Sequence, residues 1–176
     1  MNTPELLTWD NEQKKFISCK FNKILVTGPQ RSGTRFVTYV LATDLQLAAY
    51  LEPQKEEDFE IITEGVWQGP KLSHKVHKLK LFDCLVVWVI RKTDDVLASE
   101  NRINWKSAIK ERGQLPEEYR NGILCEQRYK YWFERQRNFV PYWVEVQYES
   151  LKGHNLWVSP EERTKAGGFD ASRTRL

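Results

Sequence analysis

Cysteine is scarce: Cys19, Cys84 and Cys125 are the only three in 176 residues, scattered and odd in number. That argues against a disulfide framework or a cysteine zinc site, and the three read as reduced, mostly buried thiols. An excess of one charge is missing too. The formal net charge is +3, with 29% of residues charged. Such a balance permits an anionic ligand but argues against the clustered basic face of a nucleic-acid coat. No stretch approaches the ~18 apolar residues of a membrane span. The opening MNTPELLTWDNEQKK lacks the basic-then-apolar order of a signal segment, so a cytoplasmic protein with no membrane partner is expected. Repeats and low-complexity segments are absent. One domain over 1–176 is expected, with 1–22 as an N-terminal arm and 152–176 as a C-terminal tail.

What is present begins at 24–41, ILVTGPQRSGTRFVTYVL. Ile24, Leu25 and Val26 suit a buried parallel strand, which Gly28-Pro29 ends. Gly33 lets the backbone approach a ligand closely, and the helix that follows aims its free N–H groups and positive dipole end at an anion. The interval from Gly28 to Gly33 fits G-x-x-x-x-G, yet Thr34 stands where a nucleoside-triphosphate loop requires lysine. The cations are instead Arg31, inside the loop, and Arg35, just after it. A phosphate-like group is expected there, other than the β/γ-phosphates of ATP or GTP.

The remaining pattern predicts a helix from about Gly33 to Tyr50, with Phe36, Val37, Val40, Leu41 and Leu45 on one face. A charged connection covers 51–58, FEIIT at 59–63 reads as a short strand, and 65–82 reads as irregular. CLVVWVI at 84–90 is apolar on both faces, as a central parallel strand should be. Helices are expected over about 93–110 and 117–139, then a strand over 143–148. Trp88 and the set Tyr129, Trp132 and Phe133 read as core. Strands alternating with helices predict a three-layer α/β fold with a central parallel sheet, whose ligands lie beyond the C-terminal strand ends. The segments 28–35 and 91–99 therefore fall on the same edge.

Arg91 leaves the second strand at that edge, and Ser99 follows eight residues on, where its hydroxyl can meet the same anion. Two anion sites on one edge suit a ligand with phosphates at both ends. In this the chain resembles the sulfotransferase superfamily, a P-loop fold whose donor is 3′-phosphoadenosine-5′-phosphosulfate (PAPS) and whose product is PAP. The family's P-[KR]-[SG]-G-T loop is matched by Pro29, an inserted Gln30, then Arg31-Ser32-Gly33-Thr34. Its R-N-P-x-D-x-x-x-S segment is matched by Arg91, Asp95 and Ser99, with Lys92 and Thr93 replacing Asn-Pro. Tyr148-Glu149-Ser150-Leu151 looks like the family's Y-E-D-L, and Arg163, Lys165 and Gly167-Gly168 look like its late R-K-G-x-x-G segment. The likeness spans about 23–151.

The resemblance implies that Arg31, Ser32, Gly33, Thr34 and Arg35 wrap the 5′-phosphosulfate, with Arg31 neutralising the leaving oxygen. It implies further that Arg91 and Ser99 hold the 3′-phosphate, that no metal is needed, and that the acceptor is a small molecule or glycan with a hydroxyl or amine. The base for that acceptor is open between His77, His74, Glu52 and Glu64. His77 lies in Lys75-Val76-His77, similar to the family's K-T-H segment, and His74 would share its face if the segment were extended. The lysines 71, 75, 78 and 80 around them equally suit a solvated basic segment. Asp95, near a helix start, fits a structural role in the helix dipole. The acceptor pocket is expected from 51–82 and 103–118. Two other functions fit the loop: a P-loop small-molecule kinase and a non-catalytic nucleotide-binding module.

Overall fold

Side-chain alternation along two fully buried strands sorts the core into two halves. In the computed structural model, which describes residues 5–52, 56–61 and 63–159, these strands are β3 (Lys23–Thr27) and β6 (Cys84–Ile90). Ile24, Val26, Leu85, Val87 and Val89 point to one side of the sheet, and Leu25, Cys84, Val86 and Trp88 to the other. On the first side they meet Phe36, Val37, Val40 and Leu41 of α1 (Thr34–Leu45). On the second they meet Phe59 of α2 (Glu56–Ile61), Leu72 and Val76 from a pair of 3₁₀ turns, and Trp132 of α5 (Leu124–Glu134). The result is an α/β fold of three layers.

The sheet is entirely parallel, in the order β4-β5-β3-β6-β7, with β4 at Ala49–Leu51, β5 at Gly65–Gln68 and β7 at Trp143–Gln147. The segments following Thr27, Leu51, Gln68, Ile90 and Gln147 therefore gather on one edge. After β3 the chain runs to β4 and β5 on one side, whereas after β6 it runs to β7 on the other. The crevice at that switch is where open α/β sheets bind ligands.

The central strands and the helix after β3 lie where the pattern put them; several other elements do not. The expected arm is a hairpin of β1 (Leu7–Asp10) and β2 (Lys15–Cys19). Its turn is closed by Asp10, whose Oδ1 accepts from the N–H groups of Glu12 and Gln13 at 2.8 and 2.9 Å. The hairpin packs on α1 through Phe16, whose ring meets Trp9 edge-on. FEIIT falls largely in α2 and is not a strand, because Phe59 alone needs burial while Glu60 and Ile61 face outward. GVWQ, expected to be irregular, is β5 and buried throughout. The first helix stops at Leu45, with Gln46 in the left-handed region (φ 56°) as its cap, so Tyr50 joins β4. The stretch 93–110 divides into α3 (Thr93–Arg102) and α4 (Ala108–Gly113), and 117–139 into α5 with a 3₁₀ turn on either side.

Asp44, near the end of α1, accepts from the Phe16 N–H at 2.8 Å and from His154 Nε2 at 3.1 Å. One carboxylate thus fastens both the hairpin and the turn after β7. Among the described residues no helix is long and apolar enough to cross a membrane.

Trp88 and Trp132 stack face to face, 4.5 Å between centroids and 5° between planes, fixing α5 to the sheet. Both are fully buried, as expected of core residues, while Phe133 of the same helix is half-exposed. Trp132→Ala is expected to cost about 3–5 kcal/mol, read as a shift of the urea midpoint at unchanged slope.

Candidate functional site

The loop after β3 is pressed against its neighbours. Thr27 Oγ1 donates to the Gly69 carbonyl at 2.8 Å, pinning the end of β3 to the end of β5. Gly28 (φ 144°) lies so close to β6 that a Cβ would sit 2.7 Å from the Val89 carbonyl. Gly33 (φ 94°) covers the Tyr148 ring, which a Cβ would meet at 2.3 Å. Between them Arg31 holds φ 65°, a conformation that costs a non-glycine residue about 1 kcal/mol or more. Gly33 is the N-cap of α1 and supplies no side-chain cap, so the first N–H groups of that 12-residue helix remain available to a ligand. Ser32, only 1% exposed, has a hydroxyl with no hydrogen-bond partner.

Residues from the two expected anion motifs meet directly. Arg31 Nε donates to Ser99 Oγ at 3.1 Å, and Arg91 Nη1 donates to the Arg31 carbonyl at 3.1 Å. The Arg91 guanidinium lies over the Tyr148 ring, 4.6 Å from its centroid, and the Lys92 N–H donates to Glu149. Burial pushes the Arg31 pKa down, and the nearby charges of Arg102 and Arg91 add to that; Glu100 alone opposes it. Three guanidinium groups facing one carboxylate are a local surplus of positive charge that an anion would relieve. Thr34 is buried, its hydroxyl accepting from Gln68 Nε2 at 3.4 Å, whereas Arg35 is exposed. Asp95 is exposed in the first turn of α3, where the helix dipole favours it. Beside the loop lies a cavity of about 140 Å³ whose walls include Ser32, Arg91, Thr93 and Tyr129. It is smaller than the roughly 300–1,000 Å³ of whole-ligand pockets and takes only part of a ligand.

The expected bases are dispersed. The segment around His74 and His77 is not extended: it forms 3₁₀ turns at Pro70–Leu72 and Val76–Lys78, so the two rings do not repeat along a strand face. Gln136 Nε2 donates to His77 Nδ1 at 3.0 Å, and the ring packs against Tyr131 and Phe139, on the α5 side of the molecule. Burial lowers the pKa of both histidines, with Lys78 adding for His77 and Arg128 for His74. Glu64 precedes β5, alongside the start of β3, at the opposite end of the strands from the loop. Glu52 follows β4 on the loop's edge but bonds Lys71 Nζ at 2.7 Å. The candidate residues Arg163, Lys165, Gly167 and Gly168 lie outside the described residues.

A group that no motif announced lies nearer the loop. Glu111 of α4, 8% exposed, has its Oε2 buried without a hydrogen-bond partner. Burial pushes its pKa up to about 7; Arg128 opposes this, Glu100 adds to it, a hydrogen bond from Gln30 of the loop opposes it, and Glu52 adds. Arg128, 2% exposed, donates one guanidinium nitrogen to Ser73 Oγ and leaves Nη1 buried without a partner. His74 Nδ1 and Gln136 Oε1 in the same layer are also unpartnered. The sequence offered no signal beyond the placement of Glu111 within 103–118 and of Ser73 and His74 within 51–82.

Compared with known proteins, the chain matches no family model, no curated protein and no solved structure. The site therefore speaks through its own chemistry.

Because the folded state favours the neutral Glu111 carboxyl, its contribution to stability is lost as pH rises from the ordinary 4.5 to about 7. Glu111→Gln removes that loss. Denaturation of both proteins at pH 4.5 and pH 8 should show the wild type losing about 3 kcal/mol relative to the variant over this interval.

Proposed function

We propose that the protein is a sulfotransferase, moving a sulfuryl group from PAPS to a hydroxyl or amine of a small molecule or glycan. The observation that carries this reading is the meeting of Arg31, Arg91 and Ser99. They come from segments sixty or more residues apart, the Arg31–Ser99 and Arg91–Arg31 contacts being 3.1 Å each. In this reading the α1 N-terminus, Ser32, Gly33 and Thr34 hold the 5′-phosphosulfate, and Arg91 and Ser99 hold the 3′-phosphate. Arg31 as it stands is turned toward Ser99, on the 3′-phosphate side. To neutralise the leaving oxygen it exchanges that bond for one to the donor.

The chemistry suits such a set. Sulfuryl transfer, like phosphoryl transfer, asks the protein mainly for in-line positioning and charge stabilisation at the leaving oxygen. Arginine and backbone N–H groups supply both. Thr34 in place of lysine weighs against a kinase that grips β/γ-phosphates. A cytoplasmic location belongs to the same reading and agrees with three free cysteines.

Calorimetric titration with PAP and with ATP–magnesium tests the reading. PAP should bind, and ATP–magnesium should bind at least tenfold more weakly. Arg91→Ala and Arg31→Ala should each weaken PAP by roughly 10- to 100-fold, the value of a charge-assisted hydrogen bond. Preference for ATP–magnesium would sink the reading in favour of a kinase. PAP binding without sulfuryl transfer to any of a broad set of acceptors would make the chain a binding module.

A further inference from the structure

The unpartnered atoms behind the loop form a complementary set. Glu111 Oε2 can only accept, Arg128 Nη1 can only donate, and each is buried with nothing to bond. Leaving such groups unmade costs of order 1–3 kcal/mol each, more for charges, so the arrangement calls for an occupant. A hydroxyl is the smallest group that satisfies both at once, accepting from the guanidinium and donating to the carboxylate. The two side chains come from different elements, α4 and α5, and each senses the other's charge. Arg128 is held by Ser73, and Glu111 by Gln30, which directly precedes Arg31. The carboxylate is thus one side chain away from the loop, in the region 103–118 expected to line the acceptor.

We propose that Glu111 is the general base that activates the acceptor hydroxyl, with Arg128 holding the same oxygen. This rests on the sulfotransferase reading and assigns the residue which that reading left open. In the step, the acceptor O–H proton passes to Glu111 Oε2. The oxygen lone pair forms a bond to sulfur as the bond from sulfur to the bridging oxygen breaks. That electron pair leaves on the 5′-phosphate of PAP, the acceptor departs as its sulfate ester, and Glu111 returns its proton to solvent.

The groups that set the proton affinity of Glu111 face it from every side: Arg128 of α5, Glu100 of α3, Glu52 after β4 and Gln30 of the loop. Burial and the two carboxylates keep it protonated in acid, while Arg128 and Gln30 draw the proton off. A base poised near neutrality is suited to proton abstraction at physiological pH. His77, by contrast, has its Nδ1 taken by Gln136 and its ring among aromatic side chains.

Water is the minimal hydroxyl acceptor, so release of radiolabelled sulfate from PAPS by the full chain, read from pH 5 to 9, tests the assignment without knowledge of the natural acceptor. PAP affinity is measured alongside. The wild type should release sulfate at a rate that rises with pH through about 7 and then levels. Glu111→Gln should lower the plateau about 100-fold, the ordinary contribution of a general base, with PAP affinity within twofold of wild type. Should that variant fail to fold, the wild-type profile decides. A pH-independent rate, no release despite PAP binding, or wild-type turnover in Glu111→Gln would overturn the proposal. So would loss of turnover in His77→Ala with retention in Glu111→Gln, which assigns the proton to His77. Failure of the wild type to bind PAP is distinguishable from all of these: it removes the sulfotransferase reading and takes the role of Glu111 with it.

Discussion

The hydrogen bond from Arg91 to the Arg31 carbonyl joins the end of one central strand to the loop that follows the other, and the candidate site is organised around it. The bond holds Arg31 in a backbone conformation that an arginine does not choose unaided. The same guanidinium rests on Tyr148, whose ring lies directly beneath Gly33. Three strand ends thus lock into one assembly in which no member shifts alone. A parallel sheet makes this possible, because it delivers the end of every strand to the same edge.

Charge is distributed in two different ways on either side of that assembly. At the loop mouth the guanidinium groups of Arg31, Arg91 and Arg102 crowd together with Glu100 as their counter-charge, an environment open to an incoming anion. Deeper in, Glu111 and Arg128 are withdrawn from water and incompletely bonded. The first arrangement favours a charged ligand by attraction. The second favours a neutral polar one, since a further buried charge would add a desolvation cost that the existing pair does not repay.

The fold was legible wherever burial was two-sided or a helix face was long. Ile24–Val26 and Cys84–Ile90 announced themselves because both faces are apolar, and the helix after Gly33 because five apolar residues fall on one face. Short elements escaped. Gly65–Gln68 carries only four residues, too few to show a period, and it owes its strand conformation to pairing with β3 and β4. The hairpin at the N-terminus is polar on its outer face and is recognised only by Asp10 at its turn. Arg31, Arg91 and Ser99 were readable because their motif spacing lies within single strand–loop–helix units. Glu111 was not: its environment is assembled from α3, α5, the loop and the segment after β4, which no local pattern encodes.

Asp44 bonds a backbone amide 28 residues earlier and an imidazole 110 residues later. The later partner exists only once β3, β6 and β7 have been brought side by side. A carboxylate so placed reports completion: it is among the last contacts for the folding chain to gain, since distant segments must pay their closure entropy first. Much of what holds the far end of α1 is therefore absent from an early, compact intermediate. This chain is built to fold slowly, with its loop-bearing strands in place before its ends are fastened.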